Sequence, residues 1–216
     1  MYKLSVGWFT AIALSLFTLV GPVHAQQLGT HYSEISAPLA ADSPDKIEVI
    51  EFFSYGCPHC YDLNPALKQW AAKQAPDVTF RQVAVGFGTP YYQLTAKLFY
   101  TLEALGEEKR LNDAVFSAIH SKGVKLVDEK AVNAWVASQG IDGKKFADAA
   151  NSFGVMSQIK RSDMLVDKAH IRGVPGLVID GRYLIGGPGI QSQQDILATA
   201  DKLIAKARAE RALKKR

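Results

Sequence analysis

One stretch constrains this chain more than any other. Ile47-Glu48-Val49-Ile50-Glu51-Phe52-Phe53 is followed, after the turn residues Ser54-Tyr55-Gly56, by Cys57-Pro58-His59-Cys60. A short segment so rich in β-branched and aromatic residues reads as a buried central strand. A helix is expected to begin at the first cysteine. Pro58 then falls in its first turn, where a missing N–H is not needed. Leu63, Leu67 and Trp70 recur at helical spacing to about Ala75, with Pro65 expected to kink the helix. Pro76-Asp77 ends it, and Val78 to Val85 reads as the next strand. The chain must therefore place two sulfurs, at i and i+3, in the first turn of a helix that leaves a buried strand, and there they lie close enough to bond.

Beyond the Gly86–Pro90 break the pattern changes. Tyr91–Leu105, Glu107–His120, Asp128–Gln139, Lys144–Asn151 and Phe153–His170 all read as amphipathic helices, with no convincing strand among them. Strands return at Leu177–Ile179 and Tyr183–Ile185, joined by Asp180-Gly181, a strong hairpin signal. A final helix is expected from Gln191 towards Ala209, and a short strand near Tyr32–Ile35. With the helical block set aside, a strand–helix–strand half precedes a hairpin–helix half.

The N-terminus reads as a leader. Lys3 supplies a charge, an apolar run is densest from Ala11 to Val20, Gly21-Pro22 breaks it, and Val23-His24-Ala25 offers small residues where a signal peptidase reads. Residues 1–25 are therefore expected to be removed, and the body to work outside the cytoplasm. The remaining chain can build a core without a covalent staple, since 48% of all residues are hydrophobic. The net charge of +4 owes much to Arg208–Arg216, which reads as a solvated helix end. That tail carries no interleaved aromatics, so nucleic acid is not an expected partner.

A disulfide-permitting compartment changes how a lone pair of cysteines reads. Cys57, at the helix start, is expected to be the exposed nucleophile, because unpaired N–H groups and the helix dipole favour a thiolate there. Cys60, one turn inside, is the expected resolving thiol. His59 stabilises the thiolate as a cation or as a hydrogen-bond donor, and a stabilised reduced form makes the pair a stronger oxidant. A structural disulfide would close a very small loop. A zinc site needs about four ligands, and His31, His59, His120 and His170 are scattered. A haem attachment needs histidine after the second cysteine, where Tyr61 stands. No cofactor or metal is expected beyond the Cys57–Cys60 disulfide itself. Trp70 and Trp135 read as core packing, His120 and His170 as helix-surface or capping residues, and Tyr91-Tyr92 as packing or a contact patch.

Glu51-Phe52-Phe53-Ser54 with Cys57-Pro58-His59-Cys60-Tyr61 resembles the DsbA family of periplasmic thiol–disulfide oxidoreductases. Arg172-Gly173-Val174-Pro175 resembles that family's cis-proline loop, and Asn151-Ser152-Phe153 also fits. The resemblance spans nearly the whole chain after the leader. It implies an α/β thioredoxin-like fold, a central mixed sheet flanked by helices, formed by residues 26–88 and 164–216 and interrupted by a helical domain at 89–163. It implies disulfide donation to exported proteins and reoxidation by a DsbB-like membrane quinone reductase. By the same resemblance Cys57 attacks, Cys60 resolves, His59 and Pro58 tune the pair, and Val174 and Pro175 hold a substrate strand. Glu51 would be a buried carboxylate beneath the site, paired with Arg81, serving proton relay or pKa tuning. Some relatives carry a second acid where this chain has Asn64, which puts a two-acid relay in doubt. An isomerase or reductase of disulfides and a redox-silent binding module are the alternatives. The short segment before the first core strand favours a monomer over a dimeric isomerase.

Overall fold

The computed structural model describes residues 27–214, so the expected leader lies outside the described residues. Strand β1 is Tyr32–Glu34, β2 is Ile47–Phe53, and helix α1 is Pro58–Ala72. Then come β3 (Val78–Ala84), α2 (Pro90–Ala104), α3 (Glu108–His120), α4 (Glu129–Ser138), α5 (Gly143–Ala150) and α6 (Phe153–Lys168). The chain closes with β4 (Gly176–Ile179), β5 (Tyr183–Ile185) and α7 (Gln193–Lys214). The expected order of elements is the observed one.

The five strands form one sheet in the order β1-β5-β4-β2-β3. β2 runs parallel to β3 and antiparallel to β4, and β5 runs antiparallel to both β4 and β1. Every residue of β2 is buried, because both faces of the sheet are covered. Side chains alternate along a strand, so Val49 packs with Leu63, Leu67 and Leu203 on one face, while Ile50 and Phe52 pack with Leu165 and Ile171 on the other. Phe53, at the end of β2, joins the core of the helical block through Phe99 and Phe116. The β4–β5 turn has the predicted chemistry: Asp180 and Gly181 both sit at positive φ, 55° and 64°, as a tight two-residue hairpin requires.

Four of the block's helices, α2, α4, α5 and α6, start on side chains suited to cap them: Thr89, Asp128, Asp142 and Ser152 each accept a backbone N–H of the first turn. Helix α6 runs unbroken through residues 163 and 164. Val155 near its start lies in the core of the helical block, and Leu165 near its end lies in the core under the sheet.

Two expectations about the periphery need correction. Helix α7 extends beyond Ala209 to Lys214, and its basic residues are not simply solvated. Arg208 Nε donates to Asp77 at 2.7 Å, and Arg211 bonds Asp180 and donates to the Pro44 carbonyl at 2.9 Å. Leu203, Ile204 and Ala207 hold one stripe of the helix on the core, which carries the guanidinium groups to the sheet's end. Trp70 packs partly against the same core, but its Nε1 also donates to Asp201 at 2.8 Å and ties α1 to α7.

Candidate active site

The end of β2 is drawn into a tight turn before it becomes α1. Ser54 fixes that turn: its carbonyl accepts from Cys57 N–H at 3.0 Å and its Oγ from Gly56 N–H at 3.2 Å. A Cβ at position 56 would lie 2.5 Å from the Tyr91 ring, so glycine there lets that ring close over the turn. Cys57 is the N-cap of α1, in extended conformation, and its Sγ accepts the Cys60 N–H at 3.3 Å. Pro58 takes the first helical position, exposed beside His59.

Cys57 is less open than its position suggested. It is only 4% exposed and Cys60 is fully buried, both as free thiols. The cover comes from the loop before β4, where the half-buried Val174 presents its carbonyl to Cys57 Sγ at 3.3 Å. The Val174–Pro175 peptide bond is cis. Beyond Pro175 a groove of about 250 Å³ is lined by Leu177, Ile185, Ile190 and Ile196.

The two thiols are driven apart electrostatically. Cys57 is brought down to about 6, first by the hydrogen bond from the Cys60 side chain, against the opposing effect of burial. Backbone N–H groups of residues 60 and 59 add to this, and the charge of His59 contributes last. Cys60 is pushed far above the ordinary thiol range, chiefly by burial and then by its bond to Cys57. A helix N-terminus thus favours one thiolate and its interior disfavours the other.

Glu51 lies beneath the pair, 1% exposed, and burial pushes it up to about 8. The hydrogen bond from Gln82 pulls it down, and the Cys57 charge pushes it up further. Its expected partner was Arg81, and the structure corrects this. Gln82 Nε2 donates to Glu51 at 2.7 Å, whereas Arg81 donates to Glu48 at 3.0 and 3.2 Å. The register explains it: Glu51 stands beside Gln82 and Ile50 beside Arg81, so Arg81 shares a face with Glu48 and not with Glu51. Asn64, one turn after Cys60, is also buried, and its Nδ2 donates to Asp113 at 2.9 Å.

Sequence reading missed His120. It is a half-buried anchor, with Nε2 donating to the Tyr55 carbonyl at 2.8 Å and its ring stacked on Tyr61 at 5.0 Å. Tyr61 hydroxyl in turn meets Ser121 Oγ at 2.6 Å. The end of α3 therefore grips the cysteine turn from both sides. No local signal could show it, because the contact spans 65 positions of sequence. Tyr91 packs over Gly56, and Tyr92 meets Phe87 edge to face at 6.1 Å. Among the described residues, no cluster of three or more His, Cys, Asp or Glu side chains could hold a metal ion.

Such a site can exchange two electrons between a dithiol and a disulfide, with a carboxyl group within electrostatic reach of both sulfurs. Known proteins agree with this chemistry. The DSBA-like thioredoxin domain family matches residues 48–198. The thiol:disulfide interchange protein DsbA of Bordetella parapertussis is 41% identical over 174 residues, which is 81% of this chain and 82% of that protein. The crystal structure of Pseudomonas aeruginosa DsbA superposes with a TM-score of 0.80 at 34% identity, covering 85% of this chain and 95% of that one. The oxidoreductase DsbA from Xylella fastidiosa also gives 0.80, at 29% identity, over 86% of this chain and all of that one.

Proposed function

The chain belongs to the DSBA-like thioredoxin domain family, whose members act through a redox-active disulfide, and from that premise we propose that this thiol–disulfide oxidoreductase works as a dithiol oxidase for newly exported proteins. The observation that carries the direction is the split between the two thiols: Cys57 is held as thiolate near neutrality and Cys60 is held protonated. A reduced form stabilised in this way makes the corresponding disulfide a ready electron acceptor.

The steps follow from the geometry. A substrate thiolate attacks Cys57 Sγ of the Cys57–Cys60 disulfide. The bond between the enzyme sulfurs breaks, and the electron pair goes to Cys60. Glu51, protonated around neutral pH by its burial, supplies the proton that the buried Cys60 sulfur needs. A second substrate thiolate then attacks the substrate sulfur of the mixed disulfide, and Cys57 leaves as its stabilised thiolate. Two electrons have passed to the enzyme and one disulfide to the substrate. Val174 and Pro175 would hold the substrate strand along the apolar groove beside them, with Pro58 and His59 on the exposed rim. The compartment is the periplasm, reached by the leader in residues 1–25, and the protein acts as a monomer. The reduced pair is returned to the disulfide by a DsbB-like quinone reductase in the membrane. Residues 26–88 and 164–216 form the catalytic domain, and 89–163 the helical domain that grips it through His120.

The test is a pair of assays on wild type and Cys57→Ser. Wild type should oxidise a reduced two-cysteine peptide rapidly and reduce insulin poorly, and Cys57→Ser should do neither. Efficient insulin reduction without peptide oxidation would move the reading to a reductase or isomerase.

A further inference from the structure

Gln82 does more than donate to Glu51. Its Oε1 accepts Asn112 Nδ2 at 3.3 Å, so Glu51, Gln82 and Asn112 form a row from beneath the cysteines to α3. Asn112 is 4% exposed, yet its Oδ1 has no hydrogen-bond partner among the described residues. Buried acceptors are seldom left so. Asn112 and Gln82 also line a groove of about 480 Å³, flanked by Lys68, Glu103, Glu108 and Lys109.

The inventory of donors and acceptors gives that lone oxygen a use. A carboxylate can only accept, whereas a protonated carboxyl must also donate. The row as it stands serves the carboxylate. With both amides turned over it serves the acid: Glu51 O–H donates to Gln82 Oε1, and Gln82 Nε2 donates to Asn112 Oδ1. In either arrangement the free end of the row belongs to Asn112, the member farthest from Glu51 and one of the residues that line the groove. We propose that Gln82 and Asn112 are a reversible amide pair that keeps Glu51 hydrogen-bonded in both protonation states, and that Gln82 is a positioning residue for proton exchange with Cys60. The inference rests on the reading of Glu51 as the proton partner of Cys60.

The groups facing this row come from four elements. Cys57 and Cys60 face Glu51 from the start of α1, and Lys68 lies further along that helix. β3 also brings Arg81 to the groove, but its guanidinium is turned to the other face of the sheet and engaged by Glu48. Glu103 comes from α2, and Glu108, Lys109 and Asp113 from α3. The charges around the groove are of both signs, so none of them replaces the direct bond to Gln82.

The experiment follows the Glu51 carboxyl stretch by infrared pH titration, its band identified by its loss in Glu51→Gln. Alongside it, Cys60 is made to resolve a glutathione mixed disulfide on Cys57 across pH. In Gln82→Met the carboxyl band should titrate about one unit higher, since both bonds are lost and the one to the charged form is the stronger. Resolution should then slow about tenfold at pH 7, where carboxylate is needed to take the Cys60 proton, and recover at alkaline pH. Asn112→Leu should move both readouts the same way by less, and it stands in if Gln82→Met does not fold. An unmoved band and an unmoved rate profile in folded Gln82→Met or Asn112→Leu overturn the amide pair. A resolution profile unchanged in Glu51→Gln overturns instead the role of Glu51 itself.

Discussion

β2 buries two carboxyl groups, and the sheet treats them in opposite ways. Glu48 faces the side covered by α6, where Arg81 donates to both its oxygens and the Asp42 N–H donates at 3.2 Å. Arg81 also reaches Asp42, which Arg161 of α6 engages in turn. Glu51, three positions on, points to the other face and receives a neutral amide. Both side chains are about equally out of water. What differs is the counter-ion, and strand parity decides who has one. A buried acid answered by a cation is a structural joint. One answered by an amide keeps a proton around neutrality and is free to exchange it.

The comparison breaks most visibly if the cation is removed. Arg81→Met leaves Glu48 buried and uncompensated, and urea denaturation at pH 7 should show a loss of roughly 3–5 kcal/mol. Gln82→Met, on the opposite face, should lose far less, about 1–2 kcal/mol. Equal losses would mean that the two faces hold their acids alike.

The next effect is a slope. The folded-state pKa of Glu51 is raised from 4.5 to about 8. The folded protein therefore binds this proton more tightly than the unfolded chain, and stability falls as pH climbs from 4.5 through 8. Glu51→Gln removes that penalty. It should match wild type near pH 4 and exceed it by up to about 3 kcal/mol at pH 7, at about 1.4 kcal/mol per unit. Parallel stability curves for the two proteins would contradict the assignment.

The sulfur above Glu51 should show the reverse sign. Cys57 is depressed to about 6 from 9, so its contribution is fully present above pH 9 and is lost as pH falls through 6. Between pH 5 and pH 7 the stability of the reduced protein relative to the oxidised should rise by about 1.4 kcal/mol. Paired denaturation curves of the two redox forms measure it, and a difference independent of pH would remove the thiolate from the account.

His59 should matter least. Its charge acts after the Cys60 bond and the backbone N–H groups. In His59→Ser the Cys57 pKa, read by thiolate absorbance, should rise by less than about one unit, equivalent to under about 30 mV in potential. A full return to the free-thiol value would put His59 ahead of the helix terminus.

Much of this was legible locally. The bounds of β2, the start of α1 on Cys57 and the Asp180-Gly181 hairpin follow from residue type and spacing, because each is settled within a few neighbours. The partner of Glu51 was misread although the needed signal was present. Aligning Ile47 with Val78 puts Gln82 beside Glu51, but the alignment of two parallel strands is set by packing and not by the strands alone. His120 and the anchoring of Arg208 and Arg211 were not legible, since each depends on elements far apart in sequence meeting in space.

The sheet order has a consequence for how the chain matures. β2 lies between β3, which follows it closely, and β4, whose Ile179 pairs with Val49. A chain made from its N-terminus emerges with the cysteine segment early and the second neighbour of β2 late. Until the last quarter is present, β2 has an open edge, and the Val174 carbonyl that faces Cys57 has not been made. Long-range pairing of this kind is slow to form and leaves apolar edges uncovered meanwhile. The nascent protein thus passes through a stage in which its cysteines stand at the end of an unfinished sheet, without the Val174 carbonyl over Cys57. The cover over Cys57 arrives only with the loop before β4, as a property of the nearly completed chain.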